Sequence, residues 1–313
     1  MRAATVVDGT IEVRDHPDPV PGIGQILVRV HAAGLNGADI MQKAGFYPAP
    51  PGAPADIPGL ELAGEVVGAG PGAIRFEVGQ RVMAVVGGGG QAELAVVHER
   101  EAMPVPDSLE WAHAGGVPEV FTTAHDALFT QAHLGMGERL CVHGAAGGVG
   151  TAGIQLALAA GARVVATVRS EPVRAAVAEL GATVIAPGDT EAHGPYDVIL
   201  ELVGAPNLDV NLASLATGGR IAVIGIGGGA TAEIDLRSIM GKRASVFGST
   251  LRARPLEQKA DAARRMEAHV LPLFEGGRLR VPVHATFPLA QAAEAYAHFQ
   301  AGSKFGKVVL IVD

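Results

Sequence analysis

The segment His143-Gly144-Ala145-Ala146-Gly147-Gly148-Val149-Gly150 decides the fold of this chain. The apolar run Arg139-Leu140-Cys141-Val142-His143 precedes it, and an Ala-rich stretch from Val149 to Ala160 follows it, so we predict a strand, a turn and a helix. In dinucleotide-binding turns, small residues permit a tight turn, close approach to a pyrophosphate and close helix–strand packing. Ala145, Gly147 and Gly150 occupy these positions. We therefore predict that a dinucleotide binds the backbone of Ala145, Ala146, Gly147, Gly148, Val149 and Gly150.

The sequence downstream of this turn alternates between strand and helix patterns. Strands are predicted at 163–168, 197–201 and 220–225, and a helix at 171–180. Such alternation is typical of βαβ units that form a parallel sheet. The predicted fold class is therefore α/β, with a doubly wound parallel sheet.

The sequence upstream of about Val120 has a different pattern. Short apolar or alternating runs are broken every 8–12 residues by Gly and Pro, which predicts a barrel-like β domain. The proline-rich stretch from Phe46 to Pro54 cannot form a helix or a central strand, because each proline lacks a donor and restrains its neighbour. We expect a rigid, exposed loop there. Around Leu279 the β pattern returns and continues to Val312.

Size and charge limit the classes of function. A chain of 313 residues exceeds the usual size of one hydrophobic core, so two domains are expected. The net charge of −8 and the lack of Lys or Arg blocks disfavour nucleic acid or an anionic membrane as a partner. The N-terminus has no signal-peptide pattern, no apolar run is long enough to span a membrane, and Cys141 is the single cysteine. We expect a cytoplasmic protein.

The end of the second predicted strand of this sheet bears on the choice of cofactor. Enzymes that use NAD usually place an acid about 20 residues after the glycine turn, where it binds the ribose 2′-hydroxyl. The strand here ends Ala166-Thr167-Val168-Arg169-Ser170, with no acid. Arg169, Ser170 and Arg174 could instead bind a 2′-phosphate, which predicts NADPH as cofactor.

Three ordered motifs carry a family resemblance that covers nearly the whole chain. They are the segments 32–39, 58–66 and 78–82, and the glycine turn follows them in the expected order. Together they resemble the medium-chain dehydrogenase/reductase superfamily. The resemblance implies a GroES-like β-barrel substrate domain formed by residues 1–119 and 275–313, and a Rossmann cofactor domain at 120–274.

Within this superfamily the chain is most similar to the zinc-free quinone oxidoreductases. Asn36 and Leu60 stand where zinc alcohol dehydrogenases have a catalytic Cys and His, and neither side chain is a useful zinc ligand. No metal is therefore expected. Residues 35–42, 47–52, 88–93 and 118–119 resemble the stress-inducible, tumour-suppressor-regulated subgroup. The segment between Ile185 and Tyr196 is shorter than the family pattern, which often includes a Tyr near the ribose phosphate of the cofactor.

The resemblance also suggests the residues that act on the substrate and the nicotinamide. Asn36 and Tyr47 could donate hydrogen bonds to a quinone oxygen as charge develops on it. Equally, Asn36 could cap a turn, Asp39 the following helix, and Tyr47 could be a surface aromatic. Thr123, Gly225 and Lys304 are the candidate contacts on the nicotinamide side, although a loop glycine and surface residues would fit the same pattern.

Three functions fit this sequence. The first is NADPH-dependent reduction of quinones without zinc. The second is reduction of an enoyl or enone substrate, in which a Tyr donates the proton, and the third is a cofactor-binding protein with little turnover. The apolar strand 245–250 lies where relatives pair sheet edges, so a homodimer is expected.

Overall fold

The computed structural model describes residues 1–312, which form two compact units. The β unit comprises Met1–Thr122, Leu251–Gly302 and the chain from Gly306 onward. The Rossmann unit comprises Thr123–Thr250 together with Ser303–Phe305. This division agrees with the expected class, an α/β protein with a β domain built from both ends of the chain.

The strands are β1 (Arg2–Val7), β2 (Thr10–Asp15), β3 (Gln25–Gly34), β4 (Glu61–Ala69), β5 (Arg81–Val85), β6 (Leu94–His98), β7 (Ala102–Pro104), β8 (Arg139–Val142), β9 (Arg163–Thr167), β10 (Thr183–Ile185), β11 (Tyr196–Glu201), β12 (Leu215–Val223), β13 (Ser245–Gly248), β14 (Val283–Pro288) and β15 (Lys307–Ile311). The α-helices are α1 (Gly37–Lys43), α2 (Trp111–Ala114), α3 (Pro118–His125), α4 (Gly148–Ala159), α5 (Arg174–Ala178), α6 (Leu208–Ser214), α7 (Leu236–Lys242), α8 (Leu256–His269), α9 (Leu271–Glu275) and α10 (Ala292–Ala301). A π-helical segment, Asp126–Gln131, continues α3.

The sheet of the β unit has the order β14-β15-β3-β4-β5-β7, and β6 pairs with β3. Alternate residues of β3 point into the core, since Ile26, Val28 and Val30 are buried. β15 pairs antiparallel with β3 and contributes Val308 and Leu310 to the same core. The predicted return of the chain to β structure near its C-terminal end is confirmed.

The proline-rich segment is a loop, as the sequence predicts. No helix or strand occurs between α1 and β4, and Phe46 has 79% of its surface exposed. Tyr47, the next residue, is half-buried. The loop is therefore exposed at one aromatic residue and packed at its neighbour.

The Rossmann unit contains a six-stranded parallel sheet in the order β10-β9-β8-β11-β12-β13. Counted from β8, this is the 3-2-1-4-5-6 order of doubly wound dinucleotide-binding sheets. The strand order reverses between β8 and β11, and ligands bind at the carboxyl ends of the strands beside such a reversal. The glycine-rich turn follows β8 and therefore lies at this position.

Close packing explains why small residues occupy the turn. Gly144 has φ of 65°, a left-handed conformation that glycine adopts readily. A Cβ atom on Gly150 would lie 2.6 Å from the Cα of Ala145, so the first turn of α4 packs directly on the backbone that follows β8. Gly150 thus has the packing role predicted for it, whereas the left-handed residue is Gly144 rather than Ala145.

The boundary between the units differs from the predicted one. The chain rejoins the β unit at Leu251 rather than at 275, because α8 packs against β7. Arg264 donates to the carbonyl of Ala102 at 2.8 Å, and Lys259 forms an ion pair with Glu101. These contacts are made by polar residues far apart in sequence, and the helical pattern of α8 gives no sign of them. Within residues 1–312, no helix has the length and apolar character needed to cross a membrane.

We predict that Gly150→Ala destabilises the protein by about 1–3 kcal/mol, because the new methyl group overpacks the contact between α4 and Ala145. Urea unfolding measures the change. Gly188→Ala is the matched control, since nothing lies within 4 Å of a Cβ there. Equal stability of the two variants would contradict the packing role of Gly150.

Candidate functional site

The β unit contains a buried ion pair between Glu61, the first residue of β4, and Lys307, the first residue of β15. Their side chains are 0% and 3% exposed, and the Lys307 Nζ lies 2.5 Å from Glu61 Oε1. Lys307 also donates to the carbonyl of Leu35 at 2.9 Å, and the backbone N–H of Glu119 donates to Glu61 Oε2 at 2.9 Å. Each charge therefore has several partners, as buried charges require.

Asn36 belongs to the same network. Its Nδ2 donates to Glu61 Oε1 at 2.9 Å and to the carbonyl of Gly34 at 3.4 Å, and its Oδ1 accepts from Lys307 Nζ at 2.8 Å. The amide thus bridges the two members of the ion pair. Donation from Asn36 to a substrate oxygen stays a prediction, and it requires that one of the two hydrogen bonds donated by Nδ2 be released.

Asp39 has the predicted structural role at the start of α1. At the third position of α1, its carboxylate accepts from the backbone N–H of Asn36 at 2.8 Å and from that of Gly59 at 3.0 Å. Burial raises the pKa of Asp39 to about 6, although both hydrogen bonds oppose the shift. Since the folded state holds this proton more tightly than the unfolded chain, the contribution of Asp39 to stability falls as the pH rises from about 4 to about 6.

Tyr47 lies on the proline-rich loop with its ring half-buried. Among residues 1–312 its hydroxyl has no hydrogen-bond partner, so it can donate to a bound molecule. Burial raises the pKa of Tyr47, the charge of Glu119 adds to this, and Arg252 opposes it. The phenol therefore stays protonated near neutral pH, as a hydrogen-bond donor must.

In the Rossmann unit, α4 begins directly after Gly147, and no side chain caps its first turn. The first N–H groups of a helix have no acceptor within the helix, and with the positive end of the helix dipole they favour phosphate. Ala145 and Gly150 are buried, while Ala146, Gly147, Gly148 and Val149 are partly exposed. A ligand could therefore reach the backbone of the middle four residues, with Ala145 and Gly150 packed beneath them.

The residues predicted to select the cofactor lie together at the carboxyl end of β9. Arg169 is exposed and, within the described chain, makes no ion pair or hydrogen bond with its side chain. Arg174 donates from Nε to the carbonyl of Val168 at 3.1 Å, which holds its guanidinium beside the strand end. Ser170 is partly exposed between them. Two cations and a hydroxyl can thus face a phosphate group here.

The other three predicted cofactor contacts have different surroundings. A Cβ on Gly225 would lie 2.4 Å from the carbonyl oxygen of Leu202, so close backbone packing requires glycine at this position. Thr123 is buried at the start of the Rossmann unit. Lys304 is partly exposed in the short segment Ser303–Phe305, which groups with that unit.

Sequence reasoning missed a buried network of hydrogen-bonded side chains at the carboxyl ends of β8, β9 and β11. The ring of His143 lies 2.9 Å from the hydroxyl of Thr167 and 2.7 Å from Oδ1 of Asn211. Asn211 in turn donates to Glu201 at 2.7 Å, and Glu201 also accepts from the N–H of Gly204 at 2.8 Å. Burial lowers the pKa of His143, so the ring is neutral at neutral pH. This hydrogen-bond network links three strand ends beside the glycine turn.

The residues present do not suit the catalytic zinc of related dehydrogenases. Leu60 is a buried apolar residue, and Asn36 is held between Lys307 and Glu61. Within residues 1–312, no group of three or more His, Cys, Asp or Glu side chains is arranged to hold a metal ion. Cys141 is buried, and its burial raises the pKa of the thiol, which disfavours the thiolate that binds metals.

Family models match both parts of the chain. Residues 22–107 match the alcohol dehydrogenase GroES-like domain, and residues 148–268 match the domain described as zinc-binding dehydrogenase. The quinone oxidoreductase of Rattus norvegicus is 32% identical, over 94% of this chain and 91% of the relative. A polyketide synthase, GfsB of Streptomyces halstedii, is 34% identical over 92% of this chain, which corresponds to 5% of that protein.

Solved structures have the same fold. An alcohol dehydrogenase superfamily protein from Novosphingobium aromaticivorans superposes with a TM-score of 0.87, 30% identity and 100% coverage of both chains. A mycobacterial protein solved with NADPH gives a TM-score of 0.88 at 26% identity, covering 99% of this chain and 100% of that one. A cobalt- and zinc-bound alcohol dehydrogenase from Pyrobaculum aerophilum gives 0.85 at 28% identity, covering 99% of both.

Fold and site together define an oxidoreductase built from a GroES-like domain and a nicotinamide-binding Rossmann domain. More specifically, the chain belongs to the medium-chain dehydrogenase/reductase superfamily and is quinone oxidoreductase-like.

We predict that Lys307→Met destabilises the protein by about 3–5 kcal/mol, because it leaves the Glu61 carboxylate buried without its cation. Adding Glu61→Gln removes the unpaired charge and should recover part of this loss. Urea unfolding of the two single variants and the double variant measures both effects. Lys43→Met, at a partly exposed lysine of the same unit, should change stability by only about 0.5 kcal/mol. A Lys307→Met variant as stable as this control would rule out the structural role of the pair.

Proposed function

We propose that this protein reduces quinones by hydride transfer from NADPH, without zinc. The observation that carries the proposal is a Tyr47 hydroxyl without a partner among residues 1–312, in a unit that has Asn36 and Leu60 where zinc alcohol dehydrogenases have metal ligands. A site of this kind can hydrogen-bond an oxygen that gains charge, without a Lewis acid. The similarity to mammalian quinone oxidoreductases over most of the chain supports the same choice.

The reaction balances without a further co-reactant. When bound, the nicotinamide supplies a hydride, and this hydride together with one proton converts a quinone into a hydroquinone and leaves NADP⁺. Tyr47 would donate a hydrogen bond to the quinone oxygen that becomes negative, with water as the source of the proton. Hydroquinone oxygens are weakly basic compared with alkoxides, so a positioned donor is sufficient.

The binding of the cofactor is assigned to two groups in the Rossmann unit. The N–H groups of Ala146, Gly147, Gly148 and Val149 would hold the pyrophosphate, with Ala145 and Gly150 packed beneath them. Arg169, Ser170 and Arg174 would hold the 2′-phosphate. Thr123, Gly225 and Lys304 remain the proposed contacts on the nicotinamide side.

Enoyl or enone reduction is the second candidate. The similarity to a segment of a polyketide synthase, at 34% identity over 92% of this chain, favours it. In this reaction the hydride goes to a carbon–carbon double bond conjugated to a carbonyl, and Tyr47 would donate its proton to the α-carbon. A cofactor-binding protein with little turnover is the third candidate.

We also propose that the chain forms a homodimer through β13. This strand is at the edge of the Rossmann sheet, and exposed apolar side chains lie on it or shortly before it, namely Ile234, Leu236, Met240 and Val246. An edge strand of this kind can pair with a second copy. Sedimentation equilibrium at micromolar concentration tests this, and the mass of a single chain would refute it.

The acceptor is tested by NADPH oxidation with a panel of quinones, enones and enoyl thioesters, each with and without a chelator. We expect turnover of quinones that the chelator leaves unchanged, and Tyr47→Phe should lower kcat by up to about a hundredfold while NADPH binding stays intact. Preferred turnover of enoyl thioesters would favour the second candidate, and turnover of no acceptor the third. About one tightly bound zinc per chain, lost together with activity, would refute the zinc-free mechanism.

The cofactor preference is tested with Arg169→Ala. We expect NADPH to be preferred by the unaltered protein, and the variant to lose about 2–4 kcal/mol of transition-state stabilisation with NADPH and little with NADH. The ratio of kcat/KM for the two cofactors measures this. Arg163→Ala removes an exposed arginine from the opposite end of the same strand and should leave the ratio unchanged. A preference for NADH, or an unchanged ratio in Arg169→Ala, would contradict the assignment.

A further inference from the structure

Arg252 is a buried cation of the β unit that no local sequence pattern marks. Only 3% of its surface is exposed. Its hydrogen-bond partners are neutral: the carbonyls of Gly87 at 2.7 Å from Nε and of Tyr47 at 2.9 Å from Nη1, and Gln42 Oε1 at 2.5 Å from Nη2. Within residues 1–312, no carboxylate is within ion-pair distance of its guanidinium. Buried arginines usually have an acidic partner, so the retained positive charge calls for an explanation.

The acceptors of Arg252 lie on three separate segments. Gln42 belongs to α1, Tyr47 to the proline-rich loop, and Gly87 to the segment after β5. Gln42 also donates from Nε2 to the carbonyl of Ala55 at 3.1 Å, near the far end of the same loop. Arg252 therefore holds the start of the proline-rich loop directly and the end of this loop through Gln42.

The charge of Arg252 also faces the ring of Tyr47. The central guanidinium carbon lies 5.1 Å from the ring centroid, within the range of a cation–π contact. The backbone carbonyl of Tyr47 accepts from Arg252, whereas the Tyr47 hydroxyl is unpartnered in the described chain. The contact thus fixes the residue and its ring and leaves the hydroxyl available.

We propose that Arg252 is a positioning residue for Tyr47: it fixes the loop that carries the phenol, and its unpaired charge makes the hydroxyl a stronger hydrogen-bond donor. This inference rests on the proposed function, in which Tyr47 donates to an acceptor oxygen that becomes negative. Arg252 itself touches no reacting atom in this role. Its effect on the reaction passes entirely through Tyr47.

The electrostatics of the β unit agree with this role. A nearby positive charge stabilises the phenolate and lowers the pKa of the phenol. Arg252 acts on Tyr47 in this direction, against burial and the negative charge of Glu119. Burial lowers the pKa of Arg252 itself, and Asp39, Tyr47, Glu119 and Tyr296 oppose that shift. Loss of the guanidinium should therefore leave Tyr47 a weaker acid and a weaker donor.

A double-mutant cycle tests the proposal through turnover. With Tyr47 intact, Arg252→Met should lower kcat for quinones roughly tenfold to a hundredfold, since slight misplacement of a donor is costly. In the Tyr47→Phe background the same change should have little effect, because the hydroxyl is already absent. Arg252→Lys, which keeps the charge, should fall between, and Arg14→Met, at an exposed arginine of the same unit, should match the unaltered protein. An equal loss in both backgrounds overturns the proposal.

Tyrosine titration by ultraviolet absorbance gives a readout that needs no turnover. Subtracting the curve of each Tyr47→Phe counterpart isolates the Tyr47 phenol from Tyr196 and Tyr296. The Tyr47 midpoint should be higher in Arg252→Met than in Arg252→Lys or the unaltered protein. A midpoint that stays constant, or falls as an unfastened loop exposes the ring, overturns the proposal. If no acceptor is turned over, the proposed function fails, and the titration alone decides the role of Arg252.

Discussion

The buried pair of Glu61 and Lys307 is the interaction on which the architecture of the β unit depends. It joins the first residues of β4 and β15, which are 246 positions apart in sequence. Asn36 bridges the two charges, and the backbone N–H of Glu119 at the start of α3 binds the same carboxylate. One carboxylate thus fixes four segments of the unit. Breaking it would leave a charge inside an apolar core, where burial is costly without a partner.

The Rossmann unit depends on a different constraint, which is close backbone packing at its strand ends. Gly150 lies against Ala145, and Gly225 lies against Leu202, with no room for a side chain at either glycine. The hydrogen-bond network from Thr167 through His143 and Asn211 to Glu201 joins the carboxyl ends of β9, β8 and β11. The glycine-rich turn is therefore supported by fixed packing and satisfied hydrogen bonds, which would suit the dinucleotide site proposed for it.

The sequence was most informative where local pattern and chemistry coincide. The glycine turn, the strands beside it and the proline-rich loop could be predicted because turn residues and apolar periodicity act over a few positions. Glu61, Lys307 and Arg252 could not be assigned, since their partners lie on distant segments and their periodicity resembles that of ordinary strand and loop residues. The domain boundary at Leu251 was missed for the same reason. The predicted roles of Tyr47 and Arg169 depend on bound molecules and stay predictions.

The path of the chain through the β unit has a consequence for synthesis on the ribosome. The unit takes its strands from both sides of an intact Rossmann unit, and β15 forms the sheet position next to β3. Domains commonly fold in the order in which they emerge. Here the Rossmann strands all emerge before β15, while the end of β3 that pairs with β15 lacks its partner. The nascent protein must therefore carry a sheet that lacks β14 and β15, with Glu61 lacking its cation, until Lys307 has left the ribosome.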